Sequence, residues 1–233
     1  MENDIKAKSY GKNEQISHRS DKAEKEFRSI LAEASAISFR TFETIRALTG
    51  TTVSKRIQIA ALRTFAIEND CWYSDVSVFG EFSDRGSENE VYSPIDQEIV
   101  YKLNDFRYAD DNLNSFFERI EAHNSYFPDC AYDLIGFALN RDNQICAVLK
   151  QPFIRAKREA TIEEITISLK QSGFLPQMGG EYFSNGEYDI FDAVPNNVLY
   201  GIDDHLYFID TIIYKSEEHG FNIYKSLSPH YKK

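Results

Sequence analysis

The sequence predicts an α+β fold of two small lobes, in which an antiparallel sheet and one helix follow two N-terminal helices and precede a short, loop-rich C-terminal lobe. Three observations lead there. The 233 residues are 42% hydrophobic and 14% aromatic, enough apolar material for one sizeable core or two small lobes but not for several domains. Helical periodicity is confined to two segments before residue 69 and two shorter ones near residues 112–123 and 160–172. Between them lie short apolar or alternating runs separated by Gly, Asp, Asn and Ser, the texture of strands joined by turns.

In chain order, residues 1–20 are polar and aperiodic and predict a frayed arm. From Asp21, which with Ser20 can cap a helix, Phe27, Ile30, Leu31, Ala34, Ile37, Phe42, Ile45 and Leu48 form one helical stripe that Gly50 can end. A second helix is expected from Val53 to about Glu68, with Ile57, Ala61, Leu62 and Phe65 on its apolar face. WYSDVSVFGEF, NEVYSP and EIVYKLN read as three successive strands of a meander. Asn112–His123 returns to helical spacing, with Asp110 and Asp111 near its positive end. LIGFALN and QICAVLKQPFI form a hairpin that closes a five-stranded sheet. The helix from Ala160 to Ser172 opens with Thr161 and Glu164 as a capping box and ends near Gly173. VLYGIDDHLYFID reads as a last hairpin, turned by Gly201, Asp203 and Asp204. The boundaries are therefore a 1–20 arm, 21–69 helices, a 70–153 sheet lobe and a reduced 154–233 lobe.

The formal charge of −11 is unevenly placed. Residues 1–66 hold 12 Lys or Arg against 8 Asp or Glu, and residues 67–233 hold 14 against 29. Nucleic-acid binding needs clustered cations on phosphate, so direct contact with nucleic acid is not expected. No apolar run approaches the roughly 18 residues of a membrane span, and MENDIKAKSYGKNEQ lacks a signal-peptide core. A soluble cytoplasmic chain without membrane contact is the expectation. Cys71, Cys130 and Cys146 are odd in number, lack CxxC spacing and sit among apolar residues, so they read as reduced core thiols.

The most informative stretch is YDIFDAVPNNVLYGIDDHLYFIDTIIY, residues 188–214. Asp192 precedes Asn197 by five positions, and Asp210 ends the next apolar strand. The hairpin gathers two carboxylates and an amide at one end of a small sheet. Hard oxygen donors of this kind suit Mg²⁺ bound together with phosphates, and leave one carboxylate to accept a proton. Each residue alone also fits an ordinary turn or strand-end cap.

This spacing resembles the catalytic loop and metal-binding Asp of the protein-kinase-like fold. In detail the chain is similar to the serine/threonine/tyrosine kinase domains of polyvalent proteins of phages and mobile elements. The resemblance rests on GSENEVY, IVYKLND, ERIEAHNSYFPDCAYDLIGFAL, AVLKQPFI, a helix followed by SGF, DAVPNNVL and LYFIDTIIY, about residues 72–215. It implies ATP and Mg²⁺ as cofactors and a protein hydroxyl as acceptor. It further implies that Asp192 is the catalytic base, that Asn197 and Asp210 hold Mg²⁺, and that Lys102 neutralises the α- and β-phosphates. Glu118 is the implied partner of Lys102, with Glu121 a turn away. Gly86 and Ser87 would cover the phosphates, and Lys150, Gln151, Pro152 and Phe153 would form the adenine-facing hinge.

The chain departs from that family pattern in three places. Ile190 and Phe191 precede Asp192 where kinases commonly carry His and Arg, Thr211 rather than Phe-Gly follows Asp210, and 23 residues remain after Asp210. These leave two alternatives open beside an active protein kinase: a catalytically silent interaction module of a mobile element, and a small-molecule kinase.

Overall fold

A computed structural model describes residues 30–48, 55–95, 98–109, 111–180 and 182–216. The expected arm at 1–20, the caps at Ser20, Asp21 and Gly50, and Asp110 lie outside the described residues. Helices α1 (30–48) and α2 (Lys55–Glu68) precede a six-stranded sheet. Its strands are β1 (Trp72–Tyr73), β2 (Glu81–Arg85), β3 (Asn89–Ser93), β4 (Ile99–Asn104), β5 (Asp133–Leu139) and β6 (Ile145–Pro152). Their spatial order is β1-β5-β6-β4-β3-β2. All neighbours are antiparallel except β1, which runs parallel to β5 with Trp72 opposite Phe137.

The expectation of five strands is thereby corrected to six, because WYSDVSVFGEF is not one strand. Asp75 accepts the Ser77 N–H at 2.9 Å and caps a 3-10 turn over Val76–Phe79. Gly80 then redirects the chain at φ 100°, where a Cβ would lie 2.4 Å from the Ser93 carbonyl oxygen. Phe79 is folded onto Tyr92, Leu103, Ala138, Cys146 and Val148, covering one face of the sheet.

The opposite face carries the larger core. Leu31 and Ala34 of α1 and Leu62, Phe65 and Ala66 of α2 meet Phe116, Phe117 and Ile120 of α3 (Asn114–Tyr126) over Leu134, Phe137, Ala147 and Leu149. The N-terminal helices and α3 thus share one apolar core. Polar tethers set their register. Lys55 Nζ donates to the carbonyls of Phe106 at 3.0 Å and Ala109 at 2.7 Å. The fully buried Gln58 donates to the Asp111 carbonyl at 2.5 Å and accepts the Leu113 N–H at 3.0 Å. The loop leading into α3 is therefore held by α2, and no acid lies in the first turn of α3.

Beyond β6 the chain builds two smaller antiparallel sheets around α4 (Ile162–Gln171), which has the expected capping box of Thr161 and Glu164. One has the order β12-β11-β7, from β7 (Ala156–Glu159), β11 (Val198–Gly201) and β12 (Leu206–Phe208). The other has the order β13-β10-β9-β8, from β8 (Leu175–Gln177), β9 (Tyr182–Ser184), β10 (Tyr188–Phe191) and β13 (Ile212–Lys215). Much of residues 174–191, read from sequence as loop, is strand; three or four residues are too few to display a period. Ile165, Leu169, Phe174, Phe183, Ile190, Val198, Phe208 and Ile213 form this second core, and Ala122 of α3 joins it.

All three cysteines are free and buried, and burial pushes their thiols up, Cys130 to about 12. Among the described residues no helix is long and apolar enough to cross a membrane.

Candidate functional site

The site is built where the β11–β12 hairpin meets α3 and β4. Asp192 follows β10 with a left-handed φ of 55°, a strained conformation for a non-glycine residue. The turn is closed by Asn197, whose Nδ2 donates to the Asp192 carbonyl at 3.0 Å. Pro195 at the start of the 3-10 turn Pro195–Asn197 presets its φ. The Ile209 N–H donates to the Asn197 carbonyl at 2.9 Å, so the hairpin sets Asp210 one residue beyond a position paired with Asn197.

Lys102, nearly buried on β4, reaches this cluster from the sheet. Its Nζ donates to the Ile209 carbonyl at 2.8 Å, to Asp210 Oδ1 at 3.3 Å and to Tyr132 Oη at 3.3 Å. Burial works against the ammonium charge, but Tyr132 and Asp210 outweigh it and raise the Lys102 pKa. Tyr132 is fixed by Asn124, which donates to its carbonyl and accepts its N–H, both at 2.7 Å. Its hydroxyl donates to the Ile209 carbonyl at 2.5 Å, and burial pushes its pKa up to about 12. Asp192 sits above the ordinary carboxylate value, chiefly by desolvation with Asp210 and Glu88 adding repulsion, against the opposing pull of Asn197.

Lys102, Asp192, Asn197 and Asp210 are thus linked by a continuous series of contacts. Glu118 is not part of it. Its carboxylate is exposed on the outer side of α3 and accepts from Asn114 Nδ2 at 2.8 Å, and Glu121 is likewise exposed. At 100° per residue, Phe116, Ile120 and His123 define the inward stripe, and Arg119 flanks it while Glu118 and Glu121 fall on the far side. The same arithmetic can be applied to the sequence, where it places Glu118 opposite Phe116 and Ile120.

The residues that face the site from α3 are Arg119 and His123. Arg119 meets Glu88 of the β2–β3 turn at 3.2 Å, both side chains being nearly buried. His123 Nε2 lies 2.8 Å from the Phe208 carbonyl, so that nitrogen carries the hydrogen. Burial pushes the His123 pKa down to about 4 and keeps the ring neutral. Lys102, Arg119, His123, Glu88, Asp210 and Thr211 line a cavity of about 20 Å³, the size of a water rather than of a nucleotide ring. Glu88 Oε2, His123 Nδ1 and Thr211 Oγ1 are buried polar atoms without a hydrogen-bond partner, and all three residues line that cavity.

The remaining sequence candidates lie at the rim. Gly86 and Ser87 are exposed in the β2–β3 turn. The Gly86 N–H closes that hairpin by donating to the Asn89 carbonyl at 2.9 Å, and a Cβ there would meet nothing closer than 3.8 Å, so the fold does not demand glycine. Lys150, Gln151 and Pro152 are still strand, opposite Tyr101, Val100 and Ile99 of β4. Buried Gln151 donates from Nε2 to the Cys130 carbonyl at 2.7 Å. The chain leaves the sheet only at Phe153, whose N–H donates to the Glu98 carbonyl at 3.0 Å. The connection between the two halves is therefore 153–155, just past most of the positions read as hinge. No group of three or more His, Cys, Asp or Glu side chains converges as a metal site among the described residues.

Compared with known families, residues 55–217 match the model of the serine/threonine/tyrosine kinases found in polyvalent proteins. No curated protein and no solved structure matches the chain.

Proposed function

The chain belongs to the serine/threonine/tyrosine kinase family found in polyvalent proteins, and from that premise we propose that it transfers the γ-phosphoryl group of Mg²⁺-bound ATP to a protein hydroxyl. The observation that carries this reading is the linked set Asp192, Asn197, Asp210 and Lys102 at the junction of the two cores. The donor set fits the metal: Mg²⁺ takes one or two protein oxygens and completes its shell with phosphates and water, so Asp210 and the Asn197 side-chain oxygen suffice.

Magnesium-ATP supplies the electrophilic phosphorus and the leaving diphosphate. Asp192 orients the acceptor hydroxyl and takes its proton as the oxygen attacks the γ-phosphorus; the bond to the bridging oxygen breaks and ADP departs. A carboxylate held above its ordinary pKa is a stronger base, which favours Asp192 in this role. Lys102 supplies positive charge to the α- and β-phosphates. Residues 70–153 act as the N-lobe, to whose core α1 and α2 add, and residues from 154 as the C-lobe. Substituting Asp192→Ala should abolish transfer while leaving nucleotide affinity within about threefold, since the base touches the acceptor rather than the phosphates; transfer that survives refutes the assignment.

One observation favours a silent, nucleotide-free interaction module instead. Lys102 is held by Asp210 and the Ile209 carbonyl, and α3 presents a cation beside it rather than an acid. Calorimetric titration with ATP, with and without Mg²⁺, separates the two: Mg²⁺-dependent binding lost in Asp210→Ala supports the kinase, and no binding at millimolar ATP supports the module.

A further inference from the structure

Two cations and two carboxylates line the cavity described above, and they pair differently. Lys102 is well satisfied, with three oxygens within 3.3 Å. Arg119 has the neutral Tyr214 hydroxyl as a hydrogen-bonding partner, but its one pairing with an anion is a single contact, from one guanidinium nitrogen to Glu88 Oε1 at 3.2 Å. Glu88 Oε2 is buried without a donor. An arginine cannot shed its proton, so a nearly buried guanidinium needs an anion at all times. A carboxylate held by one contact, with its second oxygen desolvated and unpaired, supplies that anion poorly. A phosphate, with three acceptor oxygens, matches the guanidinium fork better.

The position of Glu88 makes exchange feasible. It sits in the β2–β3 turn, the segment that lies over the phosphates in the reading above, beside exposed Gly86 and Ser87. Its backbone is tied down, because the Asp105 N–H donates to its carbonyl at 3.2 Å and Gly86 closes the hairpin. Only the side chain has to swing. With Lys102 against Asp210 and Arg119 against Glu88, and His123 neutral, the pocket is charge-balanced without a ligand. A polyphosphate entering beside both carboxylates would meet repulsion that rotation of Glu88 to solvent removes.

We propose that Glu88 is a displaceable anion occupying a phosphate position, and that Arg119 of α3 is a second phosphate-binding cation, beside Lys102, which a nucleotide gains by expelling Glu88. This rests on the nucleotide-binding reading and deepens it: the site regulates its own occupancy through the β2–β3 turn.

The test is calorimetric titration of the full chain and of Glu88→Gln, Arg119→Met, Arg119→Lys and the Glu88→Gln/Arg119→Met double variant, each with Mg²⁺-ATP and with adenosine. If the closed pair is populated nine times in ten, removing the competing charge in Glu88→Gln tightens Mg²⁺-ATP about tenfold. Arg119→Met weakens it by about tenfold or more, Arg119→Lys less, and in the double variant the gain from Glu88→Gln disappears. Adenosine, which has no phosphate, binds all five alike, a pattern that a merely structural ion pair does not produce. Mg²⁺-ATP binding by the parent that Glu88→Gln leaves unchanged or weakens overturns the proposal and leaves the kinase reading standing; Mg²⁺-dependent weakening makes Glu88 a metal ligand instead. Binding of Mg²⁺-ATP by none of the proteins overturns both.

Discussion

Gln58 tests whether the N-terminal helices are part of the kinase-family fold or an appendage to it. Its amide is wholly buried and bridges the Asp111 carbonyl and the Leu113 N–H at the entrance to α3. In Gln58→Ala the Leu113 N–H is left in a fully buried residue without a partner, at a cost of about 1–3 kcal/mol. The Asp111 carbonyl belongs to an exposed residue and regains water, adding about 0.5 kcal/mol. The volume left by the truncated side chain adds roughly another 1 kcal/mol. The sum is about 2.5–4.5 kcal/mol, which for a chain of this size lowers the melting temperature by roughly 5–18 °C. Urea and thermal unfolding followed by circular dichroism measure it. Thr64→Ala is the control on the same helix: its exposed hydroxyl donates only to Ala60 of its own turn, and the change should stay within about 0.5 kcal/mol. A midpoint for Gln58→Ala that matches the control, or an α2 transition separate from the main one, refutes the idea that α2 and α3 form one cooperative unit.

Four shorter expectations follow. The single-turnover transfer rate should fall as pH drops, with an inflection above the ordinary Asp value of about 3.9, because Asp192 must be ionised to act and its pKa is raised; an inflection at or below that value contradicts Asp192 as base. Because His123 is held neutral with a folded pKa of about 4 against an ordinary 6.5, the unfolded chain binds the extra proton first, and its contribution to stability is full above pH 6.5 and lost down to about pH 4. Comparing urea midpoints of the parent and His123→Gln at pH 7 and pH 4.5 should show a gap that changes in favour of the variant on acidification. Gly136→Ala should cost more than about 3 kcal/mol, or prevent folding, since φ is 151° and the new Cβ would lie 2.1 Å from the Cys71 carbonyl oxygen; soluble expression and a melting scan decide it. Thr161→Ala should cost about 1 kcal/mol through loss of the capping box of α4, and an unchanged melting temperature would show that Arg158, which also holds Glu164, carries that end of the helix alone.

What was legible in the sequence was what is encoded locally. Asp192, Asn197 and Asp210 could be read because a turn and a hairpin fix their relation within nineteen consecutive residues, and Thr161 with Glu164 because a capping box has its own spacing. Lys102 could be placed on a strand for the same reason. The pairing of Glu88 with Arg119 was not legible, since it joins a turn to a helix through tertiary packing alone. Glu118 was attractive by composition, as an acid on that helix, but its phase sets it on the outer side of α3, against Asn114 rather than Lys102. β1, the 3-10 turn over Val76–Phe79 and the strands of the C-terminal half are each too short for a period to emerge, and Gly80 interrupts an apolar run that otherwise reads as one strand.

The substitution of Thr211 for the Phe-Gly that follows this aspartate in many kinases raises the question of what positions Asp210 here. The structure answers with the backbone. The Phe208 carbonyl receives His123 Nε2 at 2.8 Å and Cys130 Sγ at 3.3 Å, and the Ile209 carbonyl receives Lys102 Nζ at 2.8 Å and Tyr132 Oη at 2.5 Å. Four side chains from α3, β4 and the segment between α3 and β5 therefore clamp the two carbonyls immediately before Asp210. Buried Thr211 then leads directly into β13, which pairs with β10 just ahead of Asp192. These contacts locate the Asp210 backbone through groups of the surrounding core, and among the described residues no aromatic ring follows it before Tyr214. The same clamp joins the backbone before Asp210 to α3 through His123 and the Phe208 carbonyl, so substitutions that shift α3, at Gln58 or at Arg119, should also move the Asp210 carboxylate.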